Sequence, residues 1–360
     1  MKRRYLFVCP DRTSASGGIA VIYDMVALLV RSGHDAAIVH NAPTAGYPDY
    51  HENLPAFFTR RIRREEWRWL GRRGQLNRIG QTLMGLGRKG RLKPVELRRT
   101  DVIVAPEFLM AEALAAFGDQ PLAVFVQNPF AFMRAYDRAL ARGLDPERQV
   151  VFWFGMSDIV ERYLALMGAR NTAFFPVSMK PQDFPYQSGK SDLITYMPRK
   201  RPWEARVIDR ALRRRGALGR YRLEALDGIA RAEVAAKLAE SRIFISLMKD
   251  ESLGFPAAEA MAAGCIVVGF DGQGGAEFFD DSTGVPVAEG DLAGLVHAVE
   301  DVIAEYARDP ARLDALRRNA SEVVNTRYSI DAFETGVQEV WRAFEASLAA
   351  AEGAEPADTD

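Results

Sequence analysis

What most constrains this chain is an alternation of short apolar runs with helical patterns that occurs twice in tandem, with a break between the two passages. The first passage runs from an apolar stretch at Tyr5 to Cys9, through Ser16-Gly17-Gly18, into a helical pattern from Ile19 to Ser32 and a second apolar stretch at Ala36 to Val39. That order is a βαβ unit, and two parallel strands joined by a crossover helix open a parallel sheet. Further strands are predicted at Val102 to Val104, Leu122 to Val126 and Val150 to Phe154, with helices at Leu109 to Phe117, Phe130 to Arg142 and Asp158 to Met167. Pro176, Pro181, Pro185 and Gly189 then break the periodicity and mark a connector. The second passage reads strand Leu193 to Met197, helix Trp203 to Arg215, strand Tyr221 to Ala225, helix Arg231 to Glu240 and strand Ile243 to Ile245. It continues with helix Ala257 to Ala262, strand Ile266 to Val268, and three helical patterns ending near residue 348.

The expected class is therefore α/β, with two doubly wound domains facing a central cleft, since ligands of such sheets bind beyond the carboxyl ends of the strands. A length of 360 residues with 48% hydrophobic side chains supplies two cores. The domains are predicted at 1–178, with an insertion at 60–99, and at 188–325. Residues 326–348 form a helix that packs back on the first domain, and 349–360 an acidic, disordered tail without apolar periodicity.

Charge excludes some functions and localises others. The formal net charge of -1 makes the whole chain no general attractor of polyanions. Between Arg60 and Arg99, however, fourteen basic residues face three acidic ones, which leaves the rest of the chain at -12. Trp69, Leu76, Ile79, Leu83 and Leu86 recur there at helical spacing. Two readings fit equally: a basic amphipathic element lying on an anionic membrane surface, and a solvated insertion whose apolar stripe packs on the first domain. Cys9 and Cys265 lie far apart in apolar runs and read as reduced core thiols. The apolar run after Met1-Lys2-Arg3-Arg4 is too short for a signal peptide, and no stretch approaches the roughly 20 apolar residues of a membrane span, so a cytoplasmic protein, soluble or peripheral on the inner face of a membrane, is expected.

Chemistry concentrates in Glu251-Ser252-Leu253-Gly254-Phe255-Pro256-Ala257-Ala258-Glu259-Ala260-Met261-Ala262-Ala263-Gly264-Cys265. Gly254 and Pro256 stand where a helix begins, and a helix N-terminus turns unpaired amides toward an anion such as phosphate. Gly254 admits close approach of backbone to ligand. Glu251 and Glu259, with seven residues between them, can hold different parts of one extended ligand through vicinal hydroxyls.

This run resembles the motif of family 4 of the retaining GT-B glycosyltransferases, in which two glutamates flank a Gly-hydrophobic-Pro turn followed by Glu-Ala-Met-Ala. The resemblance implies a GT-B fold of two Rossmann-like domains and sugar transfer from a nucleotide-sugar to a glycan or glycolipid acceptor, in cell-surface polysaccharide or lipid glycosylation. It implies that Glu251 contacts hydroxyls of the transferred sugar, that Glu259 holds the ribose, and that the amides of Leu253, Gly254 and Phe255 meet the sugar and diphosphate. Gly17 and Gly18 resemble the family's glycine loop facing the donor phosphates. Gln273-Gly274-Gly275 and Thr283-Gly284-Val285-Pro286 resemble its later loop and strand. The developing diphosphate charge is met in the family by an Arg and a Lys after the first strand of the second domain. Arg199, Lys200 and Arg201 occupy that place here, and Arg199 is favoured for its fork of donors, with Lys200 second.

The chain departs from the family where many relatives carry a histidine at a strand end: Val126 is followed by Gln127, Asn128 and Pro129. Gln127 and Asn128 are candidates for sugar or acceptor contact, or for capping a turn, and Glu107 is a weaker candidate for the acceptor. Without a histidine base, the family's front-face displacement is expected, in which the departing phosphate takes the acceptor's proton. No metal-ligand cluster or internal Asp-Xaa-Asp is present, so no essential metal or other cofactor is expected, and no Gly-Xaa-Gly-Xaa-Xaa-Gly follows the first strand as a nicotinamide enzyme requires. The competing readings are an epimerase or phosphorylase on the same fold, against which the turn around Glu251 favours transfer, a nucleotide-sugar-binding protein without catalysis, and a nucleic-acid-binding protein using residues 60–99. The lack of a base-reading motif argues against nucleic acid.

Overall fold

The computed structural model describes residues 2–11, 17–43, 53–62 and 92–353. Most of the basic segment, at 63–91, and the tail beyond Gly353 lie outside these residues, and with them the membrane-binding and disorder expectations. The described chain divides into two compact units: Met1–Met156 with Val160–Phe175 and Gly336–Asp360, and Pro176–Thr335 with Ser157–Ile159.

Unit 1 is built on eight parallel strands in the order β4-β3-β2-β1-β5-β6-β7-β8. They are β1 (Arg4–Val8), β2 (Asp35–His40), β3 (Ala56–Phe58), β4 (Lys93–Pro94), β5 (Asp101–Pro106), β6 (Leu122–Val126), β7 (Val150–Gly155) and β8 (Thr172–Phe174). The central strands read as continuous apolar runs because parallel sheets are covered on both faces. Helices α1 (Gly17–Arg31), α2 (Met110–Ala116), α3 (Pro129–Ala141), the single turn α4 (Pro146–Gln149) and α5 (Asp158–Leu166) connect them. A buried fork from Arg4 holds the start of β1 to β5, with Nε 2.8 Å from Asp101 Oδ1 and Nη2 2.7 Å from Oδ2. The chain winds outward from β1 through β2 in one direction and from β5 in the other, so the sheet's switch point lies between β1 and β5.

Unit 2 carries five parallel strands in the order β10-β9-β11-β12-β13, with its switch point between β9 and β11. Its elements are β9 (Ser191–Tyr196), α6 (Pro202–Arg215), β10 (Arg222–Ala225), α7 (Arg231–Glu240), β11 (Ser241–Glu251), α8 (Phe255–Ala262), β12 (Ile266–Gln273), β13 (Val285–Pro286), α9 (Leu292–Arg308) and α10 (Ala311–Arg327). The last helix, α11 (Ile330–Gly353), ends among the residues of unit 1, where Trp341 stacks on Phe7 and Phe154 at centroid distances of 5.8 and 5.6 Å.

Several expectations change in detail. The second unit begins at Pro176 rather than 188, because the connector is bonded to it: Met179 N–H donates to the Tyr328 carbonyl at 3.2 Å and Gln187 N–H to that of Ala263 at 3.1 Å. The disordered tail expected from 349 is helical through Gly353, where Ala349 to Ala351 favour helix. Gly17 and Gly18 open α1 rather than forming a loop before it. Strand β11 extends past Ile245 to Glu251 because its polar end pairs with β12 across a bulge, Glu251 opposite Gln273.

Candidate functional site

At the switch point of unit 2, the loop after β9 and the end of β11 bring Arg199, Lys200 and Glu251 together. All three line a cavity of about 170 Å³ with Met197, Leu247 and Pro256, and Leu226 to Ile229 and Val234 line it too. Lys200 Nζ lies 2.7 Å from Glu251 Oε1 and donates to the Lys249 carbonyl at 2.9 Å. Arg199 is exposed and has no hydrogen-bond or ion-pair partner among the described residues. Arg201, by contrast, is buried and spent internally: it donates to the Met248 carbonyl at 3.1 Å, pairs with Glu289, and lies over the Phe270 ring at 4.8 Å. Of the three basic residues after β9, Arg199 and Lys200 line the cavity and Arg201 does not.

The turn beyond Glu251 is held from behind. Gly254 has φ +94°, and a Cβ there would overlap the Met248 sulfur. Gly274 lies so close to the Glu251 and Ser252 carbonyls that a Cβ would overlap both, which makes it a backing for the turn. Ser252 Oγ is 2.7 Å from Ser157 Oγ. Helix α8 makes its first bonds from Ala257 and Ala258 to the Gly254 carbonyl, so the amides of Leu253, Gly254 and Phe255 precede its hydrogen-bonded turns.

Glu259 does not line this cavity. It is buried on α8, and its Oε1 accepts from Arg231 Nη1 at 2.6 Å. Burial raises its pKa, and the Arg231 guanidinium opposes that shift. Arg231 is half exposed, lies over the Phe184 ring at 4.7 Å and donates to the Met179 carbonyl at 3.3 Å. Nothing in the sequence pairs these residues, 28 positions apart. Glu277 is a second such case. It accepts from the Tyr328 hydroxyl and from Asp158 N–H at 2.8 Å, and burial raises its pKa.

At the switch point of unit 1 the expected candidates separate. Glu107 is buried, and its carboxylate accepts the Gln127 N–H at 3.0 Å. Burial pushes its pKa up to about 7 against the backbone amides of Gln127, Glu107 and Asn128. Asn128 caps α3, its Oδ1 accepting Ala131 N–H at 2.9 Å. Glu107 and Asn128 thus each accept a backbone N–H, Asn128 in the capping role that was its alternative reading. Gln127 is 7% exposed, with Nε2 unpartnered among the described residues and its side-chain oxygen filling the space that a Cβ on Gly18 would need. Among the described residues, no group of three or more His, Cys, Asp or Glu is placed to hold a metal ion, and no helix is long and apolar enough to cross a membrane.

Comparison with known proteins gives the same direction. Residues 204–305 match the family model described as "Glycosyl transferases group 1". An alpha-1,6-glucosyltransferase of Actinobacillus pleuropneumoniae serotype 7 (strain AP76) is 34% identical over 119 residues, 32% of this chain, and the chain spans only 36% of that relative's length. Sucrose-phosphate synthase of Thermosynechococcus elongatus has a TM-score of 0.61 at 15% identity, covering 96% of this chain and 100% of its own. HepE of Anabaena, solved with UDP and glucose, has a TM-score of 0.61 at 14% identity, covering 97% and 100%. At such identities the likeness shows the fold, which is GT-B with Rossmann-like units, and it agrees with the resemblance read from the run around Glu251.

Proposed function

We propose that this GT-B chain is a glycosyltransferase that takes a sugar from a nucleotide-sugar donor with retention of configuration. The observation that carries the reading is the Lys200–Glu251 pair beside Arg199, which has no partner among the described residues, at the switch point of unit 2, in front of a left-handed Gly254 that opens a helix. The matched group 1 segment, residues 204–305, includes Glu251 and the Gly254 turn and begins after Arg199 and Lys200, and the HepE structure holds UDP and glucose.

Each residue has a task that its chemistry suits. Arg199 and Lys200 neutralise the diphosphate as it leaves, and the amides of Leu253, Gly254 and Phe255 add fixed dipoles at no reorganisation cost. Glu251, held by Lys200, accepts hydrogen bonds from hydroxyls of the transferred sugar. Glu259 receives the ribose hydroxyls, which compete with Arg231 for its oxygens. Gln127 offers its side-chain amide, unpartnered among the described residues, to the sugar or the acceptor. The donor's C1–O bond breaks while the acceptor hydroxyl bonds to C1 from the same face, and the departing phosphate oxygen takes the hydroxyl proton. With two cations and helix amides meeting the phosphate charge, an essential metal is not required. The acceptor class we propose is a glycan or glycolipid of the cell surface, with the protein soluble or peripheral at the inner membrane face.

The test is a panel of nucleotide-sugars assayed for nucleoside diphosphate release, followed by anomeric assignment of the product by NMR. Release from at least one donor and retained configuration are expected. If calorimetry finds no binding of any donor or nucleoside diphosphate, the assignment is wrong.

A further inference from the structure

The order of charges across the unit 2 cavity follows the strand order. The loop after β10 contributes Asp227, the loop after β9 contributes Arg199 and Lys200, and the end of β11 contributes Glu251. Because β10, β9 and β11 are neighbours in that sequence, an acid, two cations and an acid are laid side by side along the carboxyl edge. A nucleotide-sugar runs in a compatible order, base, ribose, diphosphate, sugar, with the ribose between the base and the phosphates. The cations fix the middle, Glu251 lies on the sugar side, and the base falls at Asp227. The walls there suit a flat ring, since Leu226, Ile229, Val234 and Phe244 are apolar.

We propose that Asp227 selects the nucleobase, its carboxylate accepting the ring N–H that uracil and guanine carry and that adenine and cytosine lack. This rests on the donor-site reading above. An ionised carboxylate is acceptor-only. Uracil and guanine present a ring N–H on their pairing edge, whereas adenine and cytosine present a ring nitrogen lone pair at the same place, which the carboxylate repels. Sites built to receive an N–H discriminate strongly against a ligand without one. Asp227 is exposed and has no hydrogen-bond or ion-pair partner among the described residues, so its carboxylate is not committed within the protein. Gly228, with φ +69°, turns the chain directly after it and leaves no side chain over the rim.

The experiment is titration calorimetry of the full chain with UDP, GDP, ADP and CDP, for the native protein and for Asp227→Asn. UDP or GDP should bind at least about tenfold more tightly than ADP and CDP, the scale of one charge-assisted hydrogen bond. The UDP and GDP arms then identify which ring is used. In Asp227→Asn, whose amide can donate as well as accept, the gap should shrink to within about threefold while the melting temperature stays unchanged. Equal binding of ADP or CDP by the native protein, or a gap preserved in the variant, overturns the role of Asp227 and leaves the donor-site reading intact. Binding of none of the four overturns both.

Discussion

Lys200 Nζ sits 2.7 Å from Glu251 Oε1, a bridge from the loop after β9 to the end of its neighbouring strand β11. Both side chains are partly exposed, at 34% and 20%, so the pair contributes about 0–1 kcal/mol to stability. Its weight is in the ligand complex. Glu251→Gln should fold normally and lose transfer by about 10–100-fold, the loss of one or two charge-assisted hydrogen bonds. Lys200→Met should lose a similar factor. Initial rates of nucleoside diphosphate release, set beside melting curves, check both, and full turnover in either variant contradicts the assignment.

Gly254→Ala tests the turn. The left-handed backbone costs a non-glycine residue about 1–2 kcal/mol, and the added methyl meets the Met248 sulfur. Pairing it with Met248→Ala removes the overlap and leaves the backbone cost. The double variant should therefore recover part of the donor affinity lost in Gly254→Ala, measured by calorimetry with the donor. A single variant with native affinity would mean that this turn does not shape the site.

Much of this was legible because apolar runs separated by glycine and proline report parallel strands locally. The helical pattern at Arg231 to Glu240 coincides with α7, and that at Ala257 to Ala262 falls within two positions of α8. Strand β11 runs past the predicted Ile243 to Ile245 because pairing with Gln273 keeps even the polar Lys249-Asp250-Glu251 in it. Short edge strands such as β4 and β13, of two residues each, carry no periodicity to read. The fates of Glu107, Arg201 and Glu259 were not legible, because each is settled by a partner distant in sequence: Gln127 N–H, the Met248 carbonyl and Arg231.

Glu107 gives a pH signature. Its pKa is about 7 in the fold because it is buried, above the ordinary glutamate value of about 4.3 in the unfolded chain. Between those values the native state holds more protons than the unfolded state, so stability falls as pH rises and the loss is complete above about pH 7. Glu107→Gln removes the ionisation while keeping a carbonyl for the Gln127 amide. Relative to the native protein it should gain a few kcal/mol in urea unfolding at pH 8 compared with pH 5. A pH-independent difference would show that Glu107 does not titrate in this range.

The Arg231–Glu259 pair is asymmetric, and the asymmetry fixes the sign of its last test. Glu259 is 8% exposed at its side chain and Arg231 54%, so removing the acid leaves a solvated cation, whereas removing the cation strands a buried carboxylate. Glu259→Gln should change stability little and weaken donor binding. Arg231→Met should cost about 1–3 kcal/mol at pH 8, where Glu259 must be charged without its partner. Because Arg231 holds the Glu259 pKa down against burial, its loss raises that pKa further. The native state of the variant then takes up a proton more readily than the unfolded chain, and its deficit shrinks as pH falls toward 5. Urea unfolding of both variants at the two pH values checks this, and a deficit that is larger at pH 5 than at pH 8 would show that the buried charge is not what Arg231 compensates.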